Sequence, residues 1–92
     1  MQESRKRRDR MFIIAEILNI AKSGSLKTQI MYRANLSFAQ LNEYLSFLTE
    51  MELLEIKEED NKNIYEITEK GERYLEKYKD ISSLLGNNDA DI

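Results

Sequence analysis

The chain has 92 residues, a formal charge of −3, and neither cysteine nor histidine. That length allows one domain, with a core near the lower size limit for standing alone, so a partner chain would add stability. Without Cys or His there is no disulfide framework, thiolate metal site, thiol nucleophile or imidazole base, so neither a metal nor a cofactor is expected and enzymatic chemistry is disfavoured.

The charge is polarised. Residues 1–33 carry eight Lys/Arg against three Asp/Glu, +5, and residues 34–92 carry six against fourteen, −8. Such asymmetry suggests that one end meets a polyanion while the far side stays solvated. No apolar run approaches the roughly 18 residues of a membrane span, and the basic N-terminus leads into an amphipathic pattern, not a signal-peptide core. The expectation is a soluble cytoplasmic protein with no membrane partner and no evident small-molecule ligand.

Residues 1–10 read as a basic arm, in which Arg5, Lys6, Arg7, Arg8 and Arg10 have no apolar neighbour until Met11. From there Met11, Ile14, Leu18 and Ala21 share one helical face, and Ile13, Ile17 and Ile20 widen it, so this first helix should be covered on two sides. Lys22-Ser23-Gly24-Ser25 closes it, with Gly24 suited to a left-handed cap. Leu26 to Ala34 predicts a short second helix with Ile30 and Met31 inward. Asn35 tolerates the left-handed conformation that ends a helix. Ser37-Phe38-Ala39-Gln40 fits a capping box that starts a third helix two residues later, running to about Met51. Two helices joined by so short a turn cross steeply, which is the geometry of a helix-turn-helix.

At 100° per residue, Leu41, Leu45 and Leu48 form the buried stripe of the third helix, and Ala39, Gln40, Glu43, Ser46, Phe47 and Glu50 fall on or near the opposite face. Two alternating runs follow, Leu54 to Glu58 and Asn63 to Ile67, separated by the polar turn Glu59-Asp60-Asn61-Lys62. This is a hairpin, with Leu54, Ile56, Tyr65 and Ile67 toward the core and Lys57 and Lys62 at or near the tip. A three-helix unit followed by a two-stranded hairpin describes a mainly α winged helix-turn-helix over residues 11–67. Thr68 can cap a fourth helix over residues 68–85, in which Gly71 suggests a close backbone approach. Tyr74, Tyr78, Ile81 and Leu85 recur at coiled-coil spacing, predicting a dimerisation seam whose start packs on the first helix and whose distal part pairs with a partner chain. Residues 86–92 read as a disordered tail.

The segments KSGSLKTQIMYRANLSFAQLNEYLSFL, residues 22–48, and YEITEKGERYLEKYKDI, residues 65–81, resemble the archaeal winged-helix transcription-regulator family that includes small chromatin-associated DNA-binding proteins. The resemblance implies a winged helix-turn-helix that binds double-stranded DNA and a homodimer formed by the C-terminal helix as an antiparallel coiled coil. It puts Lys27, Thr28 and Gln29 at a phosphate-facing helix start, and Ser37, Phe38, Gln40, Asn42 and Glu43 on the recognition helix. The chain departs from the chromatin-associated members in being acidic and in having a shorter terminal helix.

The expected function is therefore a nucleoid-associated DNA-binding regulator. Its third helix would enter the major groove, with Gln40, Asn42 and Glu43 as base readers. Arg5, Lys6, Arg7, Arg8, Arg10, Lys27, Thr28, Arg33, Lys57 and Lys62 would contact phosphate. An architectural DNA-binding role is one alternative, opposed by the acidic half. A protein-interaction module is the other, for which Phe47 and the acidic wing speak. The carboxylate pair Glu58 and Asp60 lies in a polar turn and reads as solvated loop.

Overall fold

In a computed structural model, residues 9–86 are described. Helix α1 spans Arg10–Ile20, and Asp9 caps it by accepting the Phe12 amide at 2.8 Å. Nearly every position from Ile13 to Ile20 on its two broad faces is buried, as its wide apolar arc predicts. A 3-10 turn, Ala21–Ser23, ends at Gly24, whose φ of 90° lies where side chains rarely go.

Strand β1, Ser25–Leu26, follows, then helix α2, Lys27–Ala34, helix α3, Phe38–Glu50, strands β2, Leu54–Glu59, and β3, Lys62–Ile67, and helix α4, Glu69–Leu84. The sheet corrects the hairpin expectation. It has three antiparallel strands in the order β1-β3-β2, because Ser25 and Leu26 pair with Tyr65 and Ile64. This short strand ties the start of α2 to the wing, and the buried Ser25 hydroxyl anchors it by donating to the Ile20 carbonyl at 3.0 Å.

The wing turn has two residues where four were expected. Glu59 pairs with Lys62, and Asp60 and Asn61 both have positive φ, 53° and 65°. Such a pair suits a tight type I′ hairpin, and Asp and Asn bear it better than other non-glycine residues. The hairpin leaves the core early: Leu54, Tyr65 and Ile67 are buried, but Ile56 is 49% exposed. The alternation put Ile56 on the side of Leu54, and no core reaches it there.

The core centres on Ile17, Leu18, Ile30, Leu41, Leu48 and Leu54, all fully buried. Helix α4 closes it over α1 with Gly71, Leu75, Tyr78 and Ser82, spaced four, three and four. This stripe is rotated from the predicted seam of Tyr74, Tyr78, Ile81 and Leu85, sharing only Tyr78, which the chain's own core covers. Tyr74 is half-buried, stacks on Tyr78 at a centroid distance of 6.4 Å, and donates its hydroxyl to the Met11 carbonyl at 3.0 Å. Ile81, Leu84 and Leu85 remain exposed.

Burial, with Tyr78 and Asp9 adding to it, pushes the Tyr74 hydroxyl up to about 12. The unfolded tyrosine ionises near 10, so folding favours the neutral phenol. That stability is complete below about pH 10 and is lost as the pH rises toward about 12. Two pH units correspond to about 2.7 kcal/mol, and screening of a half-exposed ring cuts this to the order of 1 kcal/mol. Urea denaturation across this range should show wild type losing about that much more stability than Tyr74→Phe. Equal slopes would show that the ring titrates as in solvent.

Candidate nucleic-acid interface

The turn before α3 is built from local hydrogen bonds. Asn35 ends α2 at φ 56° and ψ 52°, the left-handed region, and the Leu36 amide reaches back to the Met31 carbonyl at 3.1 Å. Ser37 then caps α3: its hydroxyl accepts the Gln40 amide at 3.1 Å, and Gln40 Oε1 accepts the Ser37 amide at 3.0 Å. Both features match the sequence reading. Leu41, Leu45 and Leu48 turn inward, which leaves Ala39, Gln40, Glu43 and Ser46 open to solvent and Asn42 half-buried. The outer flank of α3 is thus left open by the described residues.

Cations border that flank at two places. The Lys27 ammonium sits 5.0 Å from the centroid of the Phe38 ring. Lys27, Thr28 and Lys62, predicted independently on α2 and the wing, come together with Asn63 around one cleft of about 360 Å3. Beside the middle of α3, the Arg10 guanidinium lies 5.6 Å from the ring centroids of both Tyr44 and Phe47. It shares a small recess with Gln40 and Glu43. A cation over an aromatic face is held by the ring quadrupole, so both charges have defined positions beside α3. Arg33 is exposed on the last turn of α2.

Several predicted contacts sit differently. Arg10 is not arm but the first residue of α1, because Asp9 starts the helix one residue earlier than expected. Arg5, Lys6, Arg7 and Arg8 lie outside the described residues. Lys57 is held at 2.9 Å by Glu66 and at 3.8 Å by Glu55. The hydrogen bond and charge of Glu66, with Glu55 behind, keep its ammonium above the usual lysine value. It stays charged but is already paired, which lowers its value to a phosphate.

Gln40 spends Oε1 on the cap, and Gln29 Oε1 likewise accepts the Leu26 amide at 2.8 Å. Bidentate pairing of Gln40 with adenine needs that oxygen, so it would cost the cap, about 1 kcal/mol. Tyr32, which is not among the predicted contacts, is 78% exposed on α2. Its spacing carried the signal, since two residues from buried Ile30 is 200° around a helix.

An open second helix in a helix-turn-helix, bordered by cations and flanked by a sheet-anchored hairpin, defines a winged-helix DNA-binding fold. None of the described helices is long and apolar enough to cross a membrane. The chain belongs to the winged helix-turn-helix family, whose pattern matches residues 7–86. Among solved structures it is similar to Sso10a-2, a DNA-binding protein from Sulfolobus solfataricus, with a TM-score of 0.78 and 30% identity over 87% of this chain and 84% of that one. The PcaV transcriptional regulator of Streptomyces coelicolor shares the fold, with a TM-score of 0.60 and 19% identity over 77% of this chain and 52% of that one. Two proteins of Methanocaldococcus jannaschii are related in sequence. MJ0287 is 31% identical over 84 residues, covering 90% of this chain and 82% of that protein. MJ0290 is 39% identical over 80 residues, covering 86% of this chain, which spans only 36% of that protein's length. These matches set the chain among the archaeal winged-helix proteins that its sequence resembles.

Proposed function

We propose that the chain is a homodimeric, nucleoid-associated transcriptional regulator that sets α3 in the major groove of duplex DNA. The observation that carries this reading is the outer flank of α3, open among the described residues and bordered at its amino end by Lys27 and, across one cleft, by Thr28 and Lys62. The start of α2 and the wing then hold phosphate on one side of the groove, and Arg5, Lys6, Arg7 and Arg8 add charge from the arm. Asn42 and Glu43 face bases, with Glu43 able to accept from cytosine N4. The likeness to Sso10a-2, itself a DNA-binding protein, supports the partner.

The acidic half favours selective over packaging use. Glu58, Glu59 and Asp60 in the wing are exposed and repel phosphate, so non-specific affinity is modest. A regulator tolerates this because discrimination depends on the ratio of specific to non-specific binding. The protein-interaction alternative loses part of its basis, since Arg10 lies over the Phe47 ring. Dimerisation is supported by Ile81, Leu84 and Leu85, apolar residues of α4 that the chain's own core leaves exposed.

Fluorescence anisotropy of a mixed-sequence duplex at several salt concentrations tests the interface. Lys27→Ala and Lys62→Ala should each weaken binding to all sequences and flatten the salt slope by about 0.9 per half-site, about 1.8 for the dimer. Slopes identical to wild type would remove both residues from the phosphate footprint and the groove reading with them.

A further inference from the structure

Resting on the DNA reading above, we propose that the first turn of α3 reads thymine through its C5-methyl group, with Phe38 as the specificity-determining residue. Phe38 is the first residue of α3, and its ring is 61% exposed. An aromatic ring left in water at the leading end of a recognition helix is apolar area that the fold does not use. It is nevertheless held in place, because the Lys27 ammonium lies over its face at 5.0 Å.

The polar groups of the same turn are largely occupied. The Ser37 hydroxyl accepts the Gln40 amide, and Gln40 Oε1 accepts the Ser37 amide, so bidentate adenine readout is closed while the cap stands. Ala39, beside Phe38, presents only a methyl group and is exposed. What the leading turn offers a base edge is therefore mainly apolar. In the major groove the thymine methyl is the one apolar group that a base pair presents. The cation over Phe38 fits the same placement, since a Lys27 ammonium held at the ring face can meet a phosphate beside the base that the ring contacts. The chain should accordingly prefer sites with thymine facing the amino end of α3.

The test compares two A·T-rich duplexes of one sequence, one with thymine and one with deoxyuracil at every thymine. The exchange removes the methyl groups and leaves the Watson–Crick and groove hydrogen-bonding groups unchanged. A buried methyl is worth about 0.8 kcal/mol, so each methyl contacted should change affinity about fourfold. Wild type should bind the thymine duplex about 4-fold to 16-fold more tightly, for one or two methyls per dimer. Phe38→Ala should bind both duplexes alike with the wild-type salt slope; Phe38→Leu, which keeps an apolar side chain, should retain part of the discrimination. Tight binding of both duplexes by wild type, at equal affinity, overturns the methyl readout and leaves groove binding intact. No salt-sensitive binding of either duplex overturns both.

Discussion

Gly71→Ala should destabilise the fold by about 3 kcal/mol, although in an exposed helix the same change stabilises by up to about 1 kcal/mol. The reversal comes from position. A Cβ at residue 71 would fall on the Leu53 carbonyl oxygen and lie 2.6 Å from Ile67 Cγ1. Neither neighbour can withdraw cheaply. The Leu53 carbonyl accepts the Thr68 amide at 3.1 Å, and the Leu53 amide donates to the Leu48 carbonyl at 2.8 Å. The Thr68 hydroxyl donates to the Glu52 carbonyl at 2.7 Å, and Lys70 Nζ to that of Met51 at 2.8 Å. The entry to α4 is thus stapled to the residues that leave α3, and Ile67 belongs to the core. An added methyl must move α4 away from α1 or break those bonds, and either shift opens the core beneath Leu75. Urea denaturation of the two proteins measures it. A midpoint equal to or above wild type would mean that α4 is free to slide, and that its inward face is less fixed than the contacts at residue 71 imply.

What could be read in advance follows the range of the interactions. Asn35 and Ser37 were legible because a left-handed residue and a capping box satisfy backbone groups within four positions, and nothing remote can rearrange them cheaply. Gly71 was legible as a close approach, but the face it turns inward was not. Two stripes with the same spacing run along α4 and share Tyr78; counting apolar residues selects the one through Tyr74, Ile81 and Leu85. The buried one begins at a glycine and ends at Ser82, neither of which registers as apolar.

The remaining misses depend on tertiary register. Strand β1 has two residues, too few for any alternation. The loss of Lys57 to Glu66 appears only once Lys57 is set opposite Ile64, which makes Glu66 its diagonal neighbour. Ile56 lies on the side that alternation gives it, but periodicity does not say where the core ends. At the interface, residue types and helix faces were readable. The convergence of Lys27 with Lys62, and the place of Arg10 over two rings, required the fold.

Substituting Leu84 and Leu85 with Asp should yield a monomer that folds like wild type and binds DNA on the order of a hundredfold more weakly. The two leucines are 85% and 71% exposed, so charging them disturbs no packing within one chain. Tyr78→Glu makes the contrast, since Tyr78 is buried against α1 and a carboxylate there should unfold the chain, not merely separate a dimer. Ile81, Leu84 and Leu85 alone fall short of the roughly 800 Å2 per partner of a stable interface. The shortfall can be met nearby. Met11, Ile14, Phe47, Met51 and Tyr74 line a largely apolar cleft of about 530 Å3 between α1, α3 and α4, to which Lys70, Arg73 and Lys77 also contribute. An antiparallel partner helix crossing near residue 79 would bring its Leu84 level with Tyr74, at the mouth of that cleft. The DNA effect follows from linkage: with one recognition helix docked, the second acts at an effective concentration in the millimolar range, and a monomer forfeits it. Sedimentation gives the mass and urea denaturation the fold. An unchanged mass in the double variant would remove the distal α4 surface from the dimer, and a monomeric wild type would remove the dimer from the proposed function.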